Sequence, residues 1–146
     1  MNDFKYLLDT NIISELRKVK QGRCNRGVAD WVQSVKESEL CTSAVVLMEL
    51  ERGVLGLARK DPLQAQGLRN WLDYFLKETL SEHILPLDTA TAKLCAGLHV
   101  PDRSPENDAW IAAQAIGHHL ILVTRNEKDF ADFTAAGLRL LNPFTD

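Results

Sequence analysis

Cysteine is scarce in this chain. Its three copies, Cys24, Cys41 and Cys95, are odd in number and widely spaced, which excludes a disulfide framework and a paired-cysteine metal motif. They read as structural thiols in a reducing, cytoplasmic setting. No apolar run approaches the roughly 20 residues that a membrane helix requires, so no membrane role is expected. The N-terminus lacks the basic region, greasy segment and small-residue cleavage site of a signal peptide. An excess of positive charge is missing too. The formal net charge is −3, which argues against a passive nucleic-acid coat. Internal repeats, low-complexity tracts and linkers are also wanting. What is there is 146 residues, 45% hydrophobic and 25% charged, the composition of a globular chain that folds as one domain over 1–146.

One stretch departs from the overall charge. Arg17, Lys18, Lys20, Arg23 and Arg26 fall within ten residues that hold no acid. They read either as a solvated loop or helix end, or as a phosphate-contacting arm beside Asp9.

The chain begins with a short apolar run, Phe4 to Leu8, that predicts a buried strand, followed by a short helix over 11–17. Val28, Trp31, Val32 and Val35 share one face of a helix over 28–36. Leu40 to Thr42 predicts a strand, and Ser43 caps a long helix reaching about Ala58. Asp61-Pro62 opens a helix to about Leu80, and 83–87 is extended. Asp88 caps the next helix, and the polar break at 101–105 precedes a helix over 105–117. Leu120 to Val123 is the clearest strand. A polar turn, a short helix through Phe133 and a last strand over 138–141 complete the chain. Alternating strands and helices imply a parallel α/β sheet.

Acids stand where such a sheet collects its ligands. Asp9 lies at the carboxyl edge of the first strand, the usual ligand position in open α/β sheets. On the helix after Ser43, a stripe of Val46, Leu50, Gly53 and Leu57 has Glu49 at its edge, while Glu51 points to solvent. A partly core-facing acid is costly without a partner. Asp108 shares the i, i+3, i+4, i+7 stripe of Ile111, Ala112 and Ala115, in the first turn, where the helix dipole favours an anion. Asn126 and Asp129 follow the strand ending at Val123. Each has a plain structural reading: Glu49 in a surface ion pair, Asp108 as a first-turn acid, Asn126 as a cap and Asp129 as a solvated turn residue. Together they offer three or four oxygen ligands to one crevice, with no His/Cys cluster beside them. The four histidines do not change this, since His118-His119 ends a helix and His83 and His99 are isolated. That donor set suits Mg²⁺ or Mn²⁺ rather than zinc. A phosphodiester is the natural substrate.

These residues resemble the motifs of PIN-domain ribonucleases. Leu7-Leu8-Asp9-Thr10-Asn11-Ile12-Ile13-Ser14-Glu15-Leu16 is similar to the first motif, and 46–53 around Glu49 to the second. Asn107-Asp108-Ala109-Trp110-Ile111 begins the third, and Val123-Thr124-Arg125-Asn126 is similar to the fourth. Leu140-Leu141-Asn142-Pro143-Phe144 resembles the close of the VapC/FitB branch, the toxins of bacterial toxin–antitoxin pairs. The resemblance spans the chain with its motifs in order. It implies a three-layer α/β/α fold with a central parallel sheet of about four to five strands. It also implies a homodimer, an Mg²⁺-dependent endoribonuclease activity (Mn²⁺ substituting) on tRNA or rRNA, and a cognate antitoxin partner.

Carried over residue by residue, Asp9 and Asp108 would be the main metal ligands, and Glu49 would complete the catalytic cluster and orient the attacking water. Thr10 and Thr124 would supply supporting hydroxyls. Many relatives carry an acid where this chain has Asn126, so Asp129 becomes a candidate substitute and the metal count stays open between one and two. Replacing Asp9 or Asp108 by its amide is expected to remove activity with little loss of stability. Two competing readings remain. A non-catalytic PIN-like module would bind RNA or a partner without cutting. A phosphoacceptor receiver domain is disfavoured, because Asp9 is followed by Thr10-Asn11 rather than a second acid.

Overall fold

In the computed structural model, residues 4–146 are described. The first strand, β1 (Tyr6–Leu8), is followed by α1 (Thr10–Leu16), with Asp9 as the residue that caps it. Next come α2 (Arg26–Ser34), β2 (Leu40–Ser43), α3 (Ala44–Lys60) and α4 (Pro62–Tyr74). The second half comprises β3 (Ile84–Leu85), α5 (Thr89–Leu98), α6 (Glu106–Gly117), β4 (Ile121–Val123), α7 (Glu127–Phe130) and β5 (Arg139–Leu141). All five strands are parallel, in the order β3-β2-β1-β4-β5, flanked by the helices. The expected parallel α/β sheet is therefore the observed one.

That strand order fixes where a ligand can go. From β1 the chain builds outward to β2 and β3, then returns to place β4 and β5 on the other side. The connections diverge between β1 and β4, and the crevice they leave opens at the carboxyl ends of those strands. Leu8 pairs with Val123 in register, so Asp9 and Thr124 leave the sheet side by side. Leu7, Leu8, Leu122 and Val123 are wholly buried beneath them.

Local sequence explains most helix starts. The Ser43 hydroxyl accepts the Val45 N–H (2.9 Å), and Asp61 accepts that of Gln64 (3.1 Å) ahead of Pro62. Asp88 accepts both the N–H (2.8 Å) and the hydroxyl (2.7 Å) of Thr91. Other expectations need correction. α2 starts at Arg26 rather than Val28 because Asn25 caps it, its Oδ1 accepting the Val28 N–H at 3.3 Å, and it ends at Ser34. α4 keeps α geometry only to Tyr74, and a π-turn over Phe75–Thr79 carries the chain on to Leu80. The stripe along α3 also turns. Val46 is buried as expected, but Gly53 is exposed and Val54 buried, because the far half of α3 packs on α4, not on the sheet. No helix among the described residues is long and apolar enough to cross a membrane.

Candidate active site

Asp9 is 6% exposed, an unusual place for a carboxylate, and is held by three donors. Its Oδ1 accepts the Thr10 N–H at 2.8 Å. Its Oδ2 accepts the Thr124 hydroxyl at 2.7 Å and the Asn11 amide at 3.3 Å. The wholly buried Thr124 hydroxyl is saturated: it donates to Asp9 and accepts from Asn11 (3.3 Å) and from the Asn126 N–H (3.0 Å). Thr124 thus ties the ends of β1 and β4 together through one hydroxyl.

Glu49 enters from α3. The Thr10 hydroxyl donates to its Oε1 at 2.6 Å, and the Asn107 amide donates to its Oε2 at 3.3 Å. The two bonds hold the carboxylate between the starts of α1 and α6. Asp108, the residue after Asn107, is half-buried in the first turn of α6. Its carboxylate accepts no hydrogen bond from any described residue.

The electrostatics follow from this layout. Burial pushes the Asp9 carboxyl above its ordinary range and the Glu49 charge adds to that, while Thr124, Thr10 and Asn11 pull the other way. Burial likewise pushes Asp108 up, to about 6, reinforced by the charges of Asp9, Asp129 and Glu49. The charges of Asp9, Glu49 and Asp129 thus all act on Asp108, and that of Glu49 acts on Asp9 as well. No described ion pair involves Asp9, Glu49, Asp108 or Asp129.

The oxygen-only donor set fits a hard divalent cation. Among the described residues, no three acidic, histidine or cysteine side chains are grouped tightly enough to hold a metal ion by themselves. A divalent cation held there would have to complete its coordination with water or substrate oxygens.

Asn126 and Asp129 are exposed on the turn after β4. The expected cap by Asn126 is not made by its side chain. Its backbone does the work instead, the N–H reaching Thr124 and the carbonyl accepting the Asp129 N–H at 3.1 Å. Glu51 does not simply point to solvent: it forms a two-pronged ion pair with Arg69, at 2.5 and 2.8 Å. His99 is not isolated either, since its Nδ1 accepts the Ser104 N–H at 3.0 Å. The basic stretch divides. Lys18 pairs with Glu15 (3.1 Å), Arg26 lies 3.8 Å from Asp30, and Lys20 sits over the Tyr74 ring. Only Arg17 borders the crevice, in a cavity of about 270 Å³ that it shares with Thr10, Ser14 and Glu49. A larger cavity of about 510 Å³ lies away from the acids, between the 97–105 segment and 132–136.

Two residues given no role in the sequence reading carry the geometry. Asn11 donates to Asp9 and Thr124 and accepts the Arg125 N–H at 3.0 Å, and Asn107 steadies Glu49. Their signal was adjacency: each amide sits within two residues of a candidate acid.

Comparison with known proteins bears on the family of the chain. The profile described as PIN domain matches residues 6–135. The chain is 29% identical to VapC ribonuclease Y4jK of Sinorhizobium fredii (strain NBRC 101917 / NGR234) over 143 residues, 94% of this chain and 96% of that protein. It is 46% identical to Ribonuclease VapC14 of Mycobacterium tuberculosis (strain CDC 1551 / Oshkosh) over 68 residues, 47% of this chain. That match spans 63% of the length of VapC14, just under two thirds. Among solved structures, FitAB bound to the IR36 DNA fragment superposes with a TM-score of 0.79 at 26% identity, covering 97% of this chain and 96% of that one. A toxin-antitoxin complex from Klebsiella pneumoniae superposes at 0.64 with 27% identity, covering 97% and 100%.

Proposed function

The chain belongs to the PIN-domain family, and from that premise we propose that it is a metal-dependent endoribonuclease, the toxin of a type II toxin–antitoxin pair. One observation carries the reading: at the strand-order crevice the charges of Asp9, Glu49 and Asp129 all act on Asp108, and no described ion pair neutralises any of the four. Such a cluster is costly to the fold and useful to a phosphodiesterase. The names of the similar proteins, two of them ribonucleases, support the same class.

A cation held by Asp9 and Asp108, Mg²⁺ with Mn²⁺ as substitute, would neutralise charge on the scissile phosphate and favour ionisation of the attacking water. Glu49, clamped by Thr10 and Asn107, has a free lone pair with which to orient that water and accept its proton. Thr124 and Asn11 aim Asp9 and favour its charged form against the burial that disfavours it. Asp129, which acts on Asp108 electrostatically, supplies the acidic charge that Asn126 does not. The substrate is RNA, tRNA or rRNA by family resemblance. The partners are a cognate antitoxin and a second copy of the chain.

The test is cleavage of total RNA by purified, antitoxin-free protein in Mg²⁺, Mn²⁺ and chelator, with Asp9→Asn as control. The expected result is discrete metal-dependent fragments that the variant does not make. Identical products from wild type and variant under every condition would overturn the proposal in favour of a PIN-like module that binds without cutting.

A further inference from the structure

The segment after β5 crosses back over the start of α2 and is fastened there. The Asn25 amide pairs with the backbone of Thr145 as a strand would: Nδ2 donates to its carbonyl (2.7 Å) and Oδ1 accepts its N–H (3.1 Å). The Gly27 N–H donates to the Thr145 hydroxyl at 3.2 Å. Glycine is required at 27, since a Cβ there would collide with the Pro143 carbonyl oxygen. The clasp has a consequence at the crevice. It seats the Phe144 ring against Arg125, whose guanidinium carbon lies 4.7 Å from the ring centroid.

Arg125 follows Thr124, the residue that holds Asp9, and its own N–H donates to Asn11. Its side-chain N–H groups make no hydrogen bond within the described residues. Glu15, an acid that acts on it, has both oxygens engaged, Oε1 by Lys18 (3.1 Å) and Oε2 by the Asn25 N–H (2.7 Å). Arg125 is thus an exposed cation, positioned by a ring, with unspent donors, one residue from the acidic crevice.

We propose that Arg125 binds an RNA phosphate flanking the scissile one, and that the Asn25–Thr145 clasp, through Phe144, is the device that positions it. The proposal rests on the ribonuclease reading. A polyanion approaching four carboxylates needs a compensating cation at the rim, and a bidentate guanidinium matches a phosphate. Stacking on Phe144 removes freedom that binding would otherwise have to remove.

The experiment measures binding of a fluorescein-labelled, mixed-sequence single-stranded RNA of about 12 nucleotides. Ca²⁺ replaces Mg²⁺, and salt runs from about 50 to about 200 mM. Arg125→Gln should weaken binding roughly tenfold at low salt and make the salt slope shallower by about 0.7, one phosphate contact. Phe144→Ala and Phe144→Leu, which retain the cation but remove its platform, should each weaken binding roughly threefold. Gly27→Ala should do the same from the far end of the clasp. In the Arg125→Gln background, either Phe144 change should add nothing. Phe144→Leu retains an apolar side chain at this partly buried position while removing the ring, so it separates lost positioning from lost folding.

Wild-type affinity and slope in Arg125→Gln would overturn the proposal. So would fully additive losses, which would make Phe144 merely structural. Unchanged RNA binding with weakened antitoxin binding would also overturn it, assigning Arg125 to the protein partner. Failure of the ribonuclease reading shows separately, as a wild-type protein that produces no metal-dependent fragments from total RNA.

Discussion

Asp108→Asn should stabilise the metal-free protein while abolishing cleavage. The Asp108 carboxyl ionises near 3.8 when unperturbed and near 6 in the fold, raised first by burial and then by Asp9, Asp129 and Glu49. At about 1.4 kcal/mol per tenfold change, that displacement corresponds to roughly 3 kcal/mol against folding at neutral pH. The group is only half-buried, and solvent screening reduces the figure to roughly 1–2 kcal/mol. The carboxylate accepts no hydrogen bond, so the amide forfeits none. For a domain of this size the gain appears as a Tm about 3–6 °C higher in chelator.

The pH dependence carries the sign of the argument. A carboxyl whose folded pKa is raised imposes no penalty below about 3.8, where it is protonated in both states. The penalty grows between 3.8 and about 6, and is complete above that. The Tm difference between variant and wild type should therefore be full at neutral pH and close toward pH ~4. A variant that melts lower at neutral pH, or a difference independent of pH, would refute the reasoning. The same gain is not expected at Asp9. Its two oxygens accept from Thr10, Thr124 and Asn11, and an amide nitrogen would face one of those donors. The expectation that both acids tolerate amidation equally is thus refined: relief of charge at position 9 is offset by a lost hydrogen bond of roughly 1–2 kcal/mol.

Thr10→Val removes the hydroxyl that donates to Glu49 at 2.6 Å and should lower the cleavage rate roughly 10- to 100-fold in single-turnover assays. An unchanged rate would show that Glu49 needs no such restraint. Glu15 gives a second pH test of opposite sign. Burial raises its carboxyl, but the Asn25 N–H and Lys18 together outweigh that and hold it below its ordinary 4.5. Its contribution is full above that value and is lost as pH falls through the lower folded one. Glu15→Gln should cost roughly 1–2 kcal/mol at neutral pH by denaturant titration, with the difference shrinking in acid. A loss that persisted unchanged in acid would make it a packing effect.

What could be read from the sequence was whatever depends on neighbours along the chain. Ser43, Asp61 and Asp88 declared helix starts because a cap acts within three residues. The apolar runs of β1 and β4 declared strands because both faces of a central parallel strand are buried. Asp9, Glu49 and Asp108 could be picked out because each sits at such a boundary or on a buried stripe. Their mutual contacts could not. That the Thr10 hydroxyl would reach Glu49, 39 residues on, depends on the packing of α1 against α3. The exposure of Gly53 depends on α4 covering the far half of α3, which no periodicity within α3 encodes. The basic stretch left its two readings open for the same reason. Of its five cations, Lys18, Lys20 and Arg26 meet different partners in the fold, and Arg17 borders the crevice.

The polar residues around the acids show why the crevice tolerates its own repulsion. Buried carboxylates are usually paired with a lysine or arginine, and that pairing would have been the simpler route to a stable fold. Here the restraint comes from neutral donors. Thr10, Asn11, Asn107 and Thr124 fix Asp9 and Glu49 without cancelling their charge. Neutral donors leave the negative potential intact, and Asp108, with no donor at all, is the member left most exposed to it. A guanidinium in the same place would stabilise the free protein and occupy the position proposed for a divalent ion. Cations that do stand nearby, Arg17 and Arg125, are at the rim, where they can meet a phosphate chain without quenching the acids beneath it.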